Sequence, residues 1–314
     1  MIATRGTFIA AAGAALAVPH AAAAADPVTV SVGIPPGTMG AIVEYAKERG
    51  FFKAAGLDVR PSILNSGAIV ATAVTGGSFD FGAVNVGSLA SARLRGLPLR
   101  IIAPAALIPA GRYGETVVVH KDSPIRNAAD LDGKTVGIVA LKTVQHAAFL
   151  AWLDKRGGDP KSVKMFEMPL PNMGAMLESS RIDAAIMVDP FTTKSLAANR
   201  TLGPNLYEAL PLPVLCYAIC AAEPWLAANA ATAVRFASAI HAAAVWANGH
   251  GKECRSVLAA TMSLEPSVAD TIYLPLMGTN LDPSRITPVI DVLVKYGFLD
   301  KALAPSDMIW RPRA

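Results

Sequence analysis

From residue 28 onward the chain alternates short apolar runs with helix-length segments, and this constrains its fold more than any other feature. Val28–Ile34 alternates like a strand, residues 40–54 carry helical spacing, and Leu57–Ile63 is strand-like again. The pattern continues with a helix over 68–76, a strand over 79–84, a helix over 88–95 and a strand over 99–105. A second run of the same kind begins at Thr116–His120. It predicts a short helix at 128–131, a strand at 135–139, a helix at 144–156, a strand at 163–168, a helix at 172–180 and a strand at 184–188. Such alternation argues for mostly parallel sheets covered by helices on both faces, in two α/β halves rather than one long sheet. Residues from about 222 onward are helix-rich and are expected to pack back on the first half.

The first 26 residues have a different character. Arg5 gives a charged start, residues 6–18 are small and apolar, Pro19 breaks the run, and residues 21–25 are all alanine. That order is the pattern of a secretory signal peptide cleaved near Ala25. The apolar core is shorter than the roughly 20 residues that span a bilayer. Export is therefore the expectation, and a periplasmic location with it. The apolar stretch 227–247 is interrupted by Asn229, Arg235, His241 and Trp246, which predicts a core-facing amphipathic helix.

Composition excludes several classes. With 53% hydrophobic and 17% charged residues the chain is not a disordered one. The net charge of +4 is spread without a Lys/Arg run, so no nucleic-acid partner is expected. The five histidines lack metal-ligand spacing, and neither a G-x-S-x-G elbow nor a paired-acid constellation occurs. No catalytic residue, metal or cofactor is therefore expected, and the chain reads as a non-enzyme. Of three cysteines, Cys216 and Cys220 on one strand would stand about 13 Å apart, too far to bridge. A Cys220–Cys254 bond and three buried free thiols both remain open.

In open α/β sheets ligands bind outside the carboxyl ends of strands, where helix amides are unpaired. The loops in that position are Pro35-Pro36-Gly37-Thr38-Met39, Asn65-Ser66-Gly67, Asn85-Val86-Gly87-Ser88, Ala140-Leu141-Lys142-Thr143 and Asp189-Pro190-Phe191. Each is readable either as a ligand loop or as a tight connection with a helix cap (Ser66, Thr143, Asp189). Met39, Met173 and Tyr113 are candidates to shape an apolar pocket, and His146 sits near Thr143.

An ordered set of motifs then carries a family resemblance. GFFKAAGLDV (50–59), Ser66-Gly67, TGGSFDFG (75–82) and LRGLPLRII (94–102) come first. VVVHKDSPIRNAADLDGKTVGI (117–138), MLESSRIDAAIMVDPF (176–191) and YGFLDKAL (296–303) follow. Over about 28–303 the chain resembles the nitrate/sulfonate/taurine-type and thiamine-precursor-type periplasmic binding proteins of ABC importers. The resemblance implies a type II two-lobed fold with the ligand cleft between lobes and two hinge crossings, near 106–117 and 212–221. It implies lobe 1 from 26–110 and 217–314, lobe 2 from 111–216, and a monomer that delivers a small ligand to membrane permease subunits. Carried over by motif, the substrate-binding residues are Pro36, Met39, Ser66, Gly67, Asn85, Val86, Thr143 and Asp189, with Tyr113 added beside the first hinge. The implied ligand is a sulfonate, carboxylate or similar anion, with a pyrimidine-like heterocycle or a freestanding sensory role as alternatives. Two departures stand out: Lys142-Thr143 replaces a usual Gly-Ser or Gly-Thr pair, and Asp189 replaces a usual Glu.

Overall fold

The computed structural model describes Met1, residues 26–111 and residues 114–312. Residues 2–25, where a signal peptide is expected, lie outside the described residues, as do Arg112 and Tyr113. Among the described residues thirteen strands form in chain order: β1 Val28–Ile34, β2 Leu57–Ile63, β3 Phe81–Asn85, β4 Leu99–Pro104, β5 Ala106–Ile108, β6 Thr116–His120, β7 Thr135–Ile138, β8 Lys164–Glu167, β9 Ala184–Met187, β10 Asn199–Thr201, β11 Val214–Leu215, β12 Tyr217–Ala222 and β13 Leu276–Met277. One sheet runs β2-β1-β3-β12-β4, a second β10-β6-β9-β7-β8, and a small third sheet β11-β5-β13. The central strands β3 and β9 are buried throughout, as strands covered on both faces must be.

The sheets are less parallel than the sequence pattern suggests. β1 pairs parallel with β2 and β3, and β7 parallel with β8 and β9. However, β12 enters the first sheet antiparallel between β3 and β4, and β6 runs antiparallel to β9 and β10. β12 comes from beyond the second half of the sequence, so local alternation carries no sign of its direction. The predicted helix over 40–54 is also two helices, Ala41–Glu48 and Phe51–Ala54. Gly50, at φ +76°, turns the chain between them, a conformation natural only to glycine.

Each half pins its strands with the same device. Asp80, just before β3, accepts from Ser31 N (2.7 Å) and Ser31 Oγ (2.9 Å) on β1. Asp183, just before β9, accepts from Thr135 N (2.8 Å) and Thr135 Oγ1 (2.7 Å) on β7. These charge-assisted bonds fix register at the ends of two parallel pairs. They give a physical purpose to the aspartates inside the TGGSFDFG and SSRIDAA motifs.

The helices Ala230–Gly249 and Gly251–Thr261 pack on the first half, whereas the later helix Thr287–Lys295 packs on both Val86–Leu94 and Val144–Lys155. The 20-residue helix Ala230–Gly249 is long and apolar enough by composition to cross a membrane. Its residues Ala233, Phe236, Ile240, Ala243 and Ala247 are instead buried at helical spacing against β4 and the helices Ala41–Glu48 and Phe51–Ala54. Phe236 stacks on both Phe52 and Phe81, with ring centroids 4.8 and 4.0 Å apart. Cys216, Cys220 and Cys254 are all free and buried.

Candidate functional site

Three helices begin at the carboxyl ends of strands and bring their first turns to one place between the halves. The helix Gly67–Thr75 follows β2, Val86–Leu94 follows β3, and Val144–Lys155 follows β7. Each is capped by a side chain, Ser66 and Thr143 as the sequence predicts and Asn85 in addition. Ser66 Oγ accepts from Ile69 N (3.4 Å) and Thr143 Oγ1 from His146 N (3.3 Å), while Asn85 Oδ1 takes Gly87 N (2.9 Å) and Ser88 N (3.4 Å). The approach is close enough to require glycine. A Cβ on Gly67 would stand 3.1 Å from Asn85 N, and one on Gly87 would meet Leu293 Cδ1 at 2.9 Å and Val144 N at 3.1 Å.

The helix starts differ in what they leave free. In the Val86–Leu94 helix the first amides are used up, because Cys216 O takes Val86 N (2.9 Å) and Asn85 takes the next two. Gly67, Ala68 and Gln145 have first-turn amides that meet no protein acceptor among the described residues. All three line a cavity between the halves. Its walls include Pro36, Met39 and Ser88 from the first half and Glu115, Thr143 and Leu170 from the second.

The cavity leaves about 50 Å³ for the centres of water-sized occupants, several times the roughly 10–15 Å³ that one water needs. That is room for the polar head of a small molecule. Pro36, Ser66, Ser88 and Thr143 also border a broader groove of about 1000 Å³ on the same measure. The groove reaches out to Arg95, Lys142 and the C-terminal Phe298, and has space for the remainder of a ligand.

The expected site residues divide. Pro36, Met39, Ser66, Gly67, Asn85 and Thr143 are brought together around the cavity. Val86 is fully buried beside it and is not part of its wall, since its side chain turns into the core behind the helix start. Asp189 is not at the cavity either. It is 2% exposed, and its carboxylate accepts from Thr193 N (3.0 Å), Thr193 Oγ1 (2.8 Å) and Tyr273 N (2.5 Å). Its carbonyl accepts Thr38 N (3.2 Å). Asp189 therefore ties the end of β9 to the first half and to the C-terminal segment, and it borders a separate recess. Met173 is fully buried in the core.

Lys142 occupies a left-handed turn at φ +56° and is exposed on the groove wall. That conformation explains why glycine suits this position and lysine is strained there. His146 Nδ1 accepts Lys142 N (3.1 Å), and its ring packs 4.6 Å from Phe298. Burial drives its pKa down to about 4, so the ring stays neutral, as an accepting nitrogen must.

Sequence reasoning missed the acid that does line the cavity. Glu115 is 3% exposed and receives hydrogen bonds from Gln145 Nε2 and the Tyr207 hydroxyl. Burial outweighs both bonds and raises its pKa to about 7. The polar chain continues from Tyr207 Oη to Cys216 Sγ (3.6 Å), which Asn85 Nδ2 also approaches (3.7 Å). Tyr217, beside Asn85, completes this wall. Glu115 falls at a crossing between the halves, where no helical or strand period singles it out.

A cleft between two α/β halves, built on helix starts and crossed by short strands, defines a periplasmic-binding-protein fold. A family profile described as NMT1/THI5 like matches residues 38–254. The chain belongs to this NMT1/THI5-like family. Among solved structures it is similar to the alkanesulfonate-binding protein SsuA from Xanthomonas axonopodis pv. citri bound to MOPS (18% identity, TM-score 0.77, covering 91% of this chain and 99% of that one). It is similar to the periplasmic aliphatic sulphonate binding protein SsuA from Escherichia coli (18% identity, TM-score 0.72, 91% and 93% covered). It is also similar to the periplasmic nitrate-binding protein NrtA from Synechocystis PCC 6803 (15% identity, TM-score 0.73, 90% and 85% covered). No curated protein matches the sequence.

Proposed function

We propose that this chain is the solute-binding component of an ABC importer, exported to the periplasm and acting as a monomer. In this reading lobe 1 comprises 26–110 and 217–314, and lobe 2 comprises 111–216. The lobes close on a small organic acid, a sulfonate or carboxylate, and present it to membrane permease subunits. The observation that carries the reading is the cavity between the halves, with unpaired first-turn amides from Gly67 and Ala68 on one side and Gln145 on the other. Helix starts bind an anion through oriented N–H groups and their partial positive charge, without any basic side chain.

The assignment as a receptor rather than an enzyme is supported by the solved structures of this fold that are described as binding proteins. The test is thermal denaturation and calorimetry of the mature chain against sulfonates, carboxylates and pyrimidines. A true ligand at 100 times its Kd adds about 2.7 kcal/mol of stability and raises the Tm. A panel of this breadth that produced no shift, together with no retained solute in native mass spectrometry, would overturn the reading.

A further inference from the structure

A pocket meant only for an anion has little use for a buried carboxyl group in its wall. Glu115 is nevertheless there, 3% exposed, on the same cavity as the amides of Gly67, Ala68 and Gln145. Its two protein partners, Gln145 and Tyr207, are neutral donors. No ion pair among the described residues includes Glu115. Among the described residues the titratable groups that face it are Tyr207, Cys216 and Tyr217, and none of them is a cation. A carboxylate held this deep without a counter-charge is costly unless something supplied from outside completes it.

The cavity is also small, so a molecule only a few atoms long spans from the helix amides to the carboxyl group. We propose that Glu115 sets the selectivity of this site: the solute carries an ammonium or N–H group that Glu115 accepts, together with the acidic group held by the helix starts. The inference rests on the reading of the cavity as a solute site and narrows its ligand from an anion to a dipolar molecule. It moves to Glu115 the role that the sequence placed on Asp189, whose carboxylate is committed to Thr193 and Tyr273.

The carboxyl group, at a pKa of about 7 in the empty site, is close to half protonated at neutral pH. A bound ammonium holds it ionised, so binding releases about half a proton at pH 7. A purely structural Glu115 gives no such release.

The experiment is isothermal titration of the mature chain with matched probes: ethanesulfonate against 2-aminoethanesulfonate, and propanoate against 3-aminopropanoate. Titrations are repeated in buffers of different ionisation enthalpy to count protons. The amine-bearing member should bind roughly 30- to 1,000-fold more tightly, because a buried carboxyl group is left unpaired by the other. Glu115→Gln should collapse the preference and the proton release together. Equal binding of the two members overturns the inference and leaves the receptor reading standing. So does tight binding of some other solute that has no N–H group. Binding of nothing at all overturns both. If Glu115→Gln fails to fold, the wild-type comparison and the proton count decide alone.

Discussion

Replacing Asp189 with alanine tests how far one buried side chain holds the two halves together. The substitution removes the acceptor for Thr193 N, Thr193 Oγ1 and Tyr273 N, and leaves the backbone bond from Thr38 N in place. Hydrogen bonds to a charged acceptor contribute about 1.5–3 kcal/mol each, and a buried donor left unpaired costs a similar amount. Allowing water to rescue the Thr193 hydroxyl, we expect a loss of about 3–6 kcal/mol. For chains of this general size each kcal/mol moves the Tm by about 2–4 °C, so the variant should melt about 6–24 °C lower. The bond to Tyr273 joins the end of β9 to the C-terminal segment, so its share, about 1.5–3 kcal/mol, bears on closure. Affinity should fall by about 10- to 150-fold as the closed population shrinks. Differential scanning calorimetry and ligand titration read the two effects separately, and small-angle scattering reports the opening. A variant melting within 2 °C of the parent, with unchanged affinity, would refute the reasoning.

Other expectations follow from the same geometry. Glu115, raised to about 7, contributes stability that is full below about 4.5 and is lost as the pH rises toward 7. His146, lowered to about 4, contributes stability that is full above about 6.5 and is lost as the pH falls toward 4. The two oppose each other in between, at about 3 kcal/mol apiece. Glu115→Gln should therefore unmask a steeper acid destabilisation, seen in urea melts at pH 7, 5.5 and 4.5, and an unchanged slope would count against both assignments. Gly87→Ala drives a Cβ against Leu293 and Val144 N and should weaken ligand binding by about 1–3 kcal/mol while the far-UV circular dichroism stays native. Lys142→Gly relieves a left-handed backbone and should stabilise the protein by about 1 kcal/mol in a thermal melt.

The sequence made the frame of this molecule legible because burial has a period. β1, β2 and β6 lie where alternation put them, and the helix starts at Gly67, Val86 and Val144 lie within two residues of their expected positions. Ser66 and Thr143 were readable as caps because their side chains act on amides only three residues away. What spans the chain was not legible. Tyr273 N reaches Asp189 across 84 residues, and β12 inserts beside β3 more than 130 residues later. Glu115 belongs to the same class, since its partners Gln145 and Tyr207 come from remote segments. An acid in that position looks like any loop carboxylate until the fold closes over it.

The placement of β12 bears on how the molecule is made. The second sheet is built entirely from residues 116–201, a continuous stretch. The first cannot be completed until Tyr217–Ala222 arrives to fill the gap between β3 and β4. A chain that emerges N-terminus first therefore displays β3 and β4 as open edges while about a hundred further residues are delivered. Non-local pairing of this kind is slow and exposed to aggregation. The late-numbered half of the cleft should thus gain protected amides first in pulse-labelled hydrogen exchange, and protection of β3 ahead of β9 would contradict that order. The strand that fills the first sheet also keeps the cleft from forming before Ala222, well past the middle of the polypeptide, has been made.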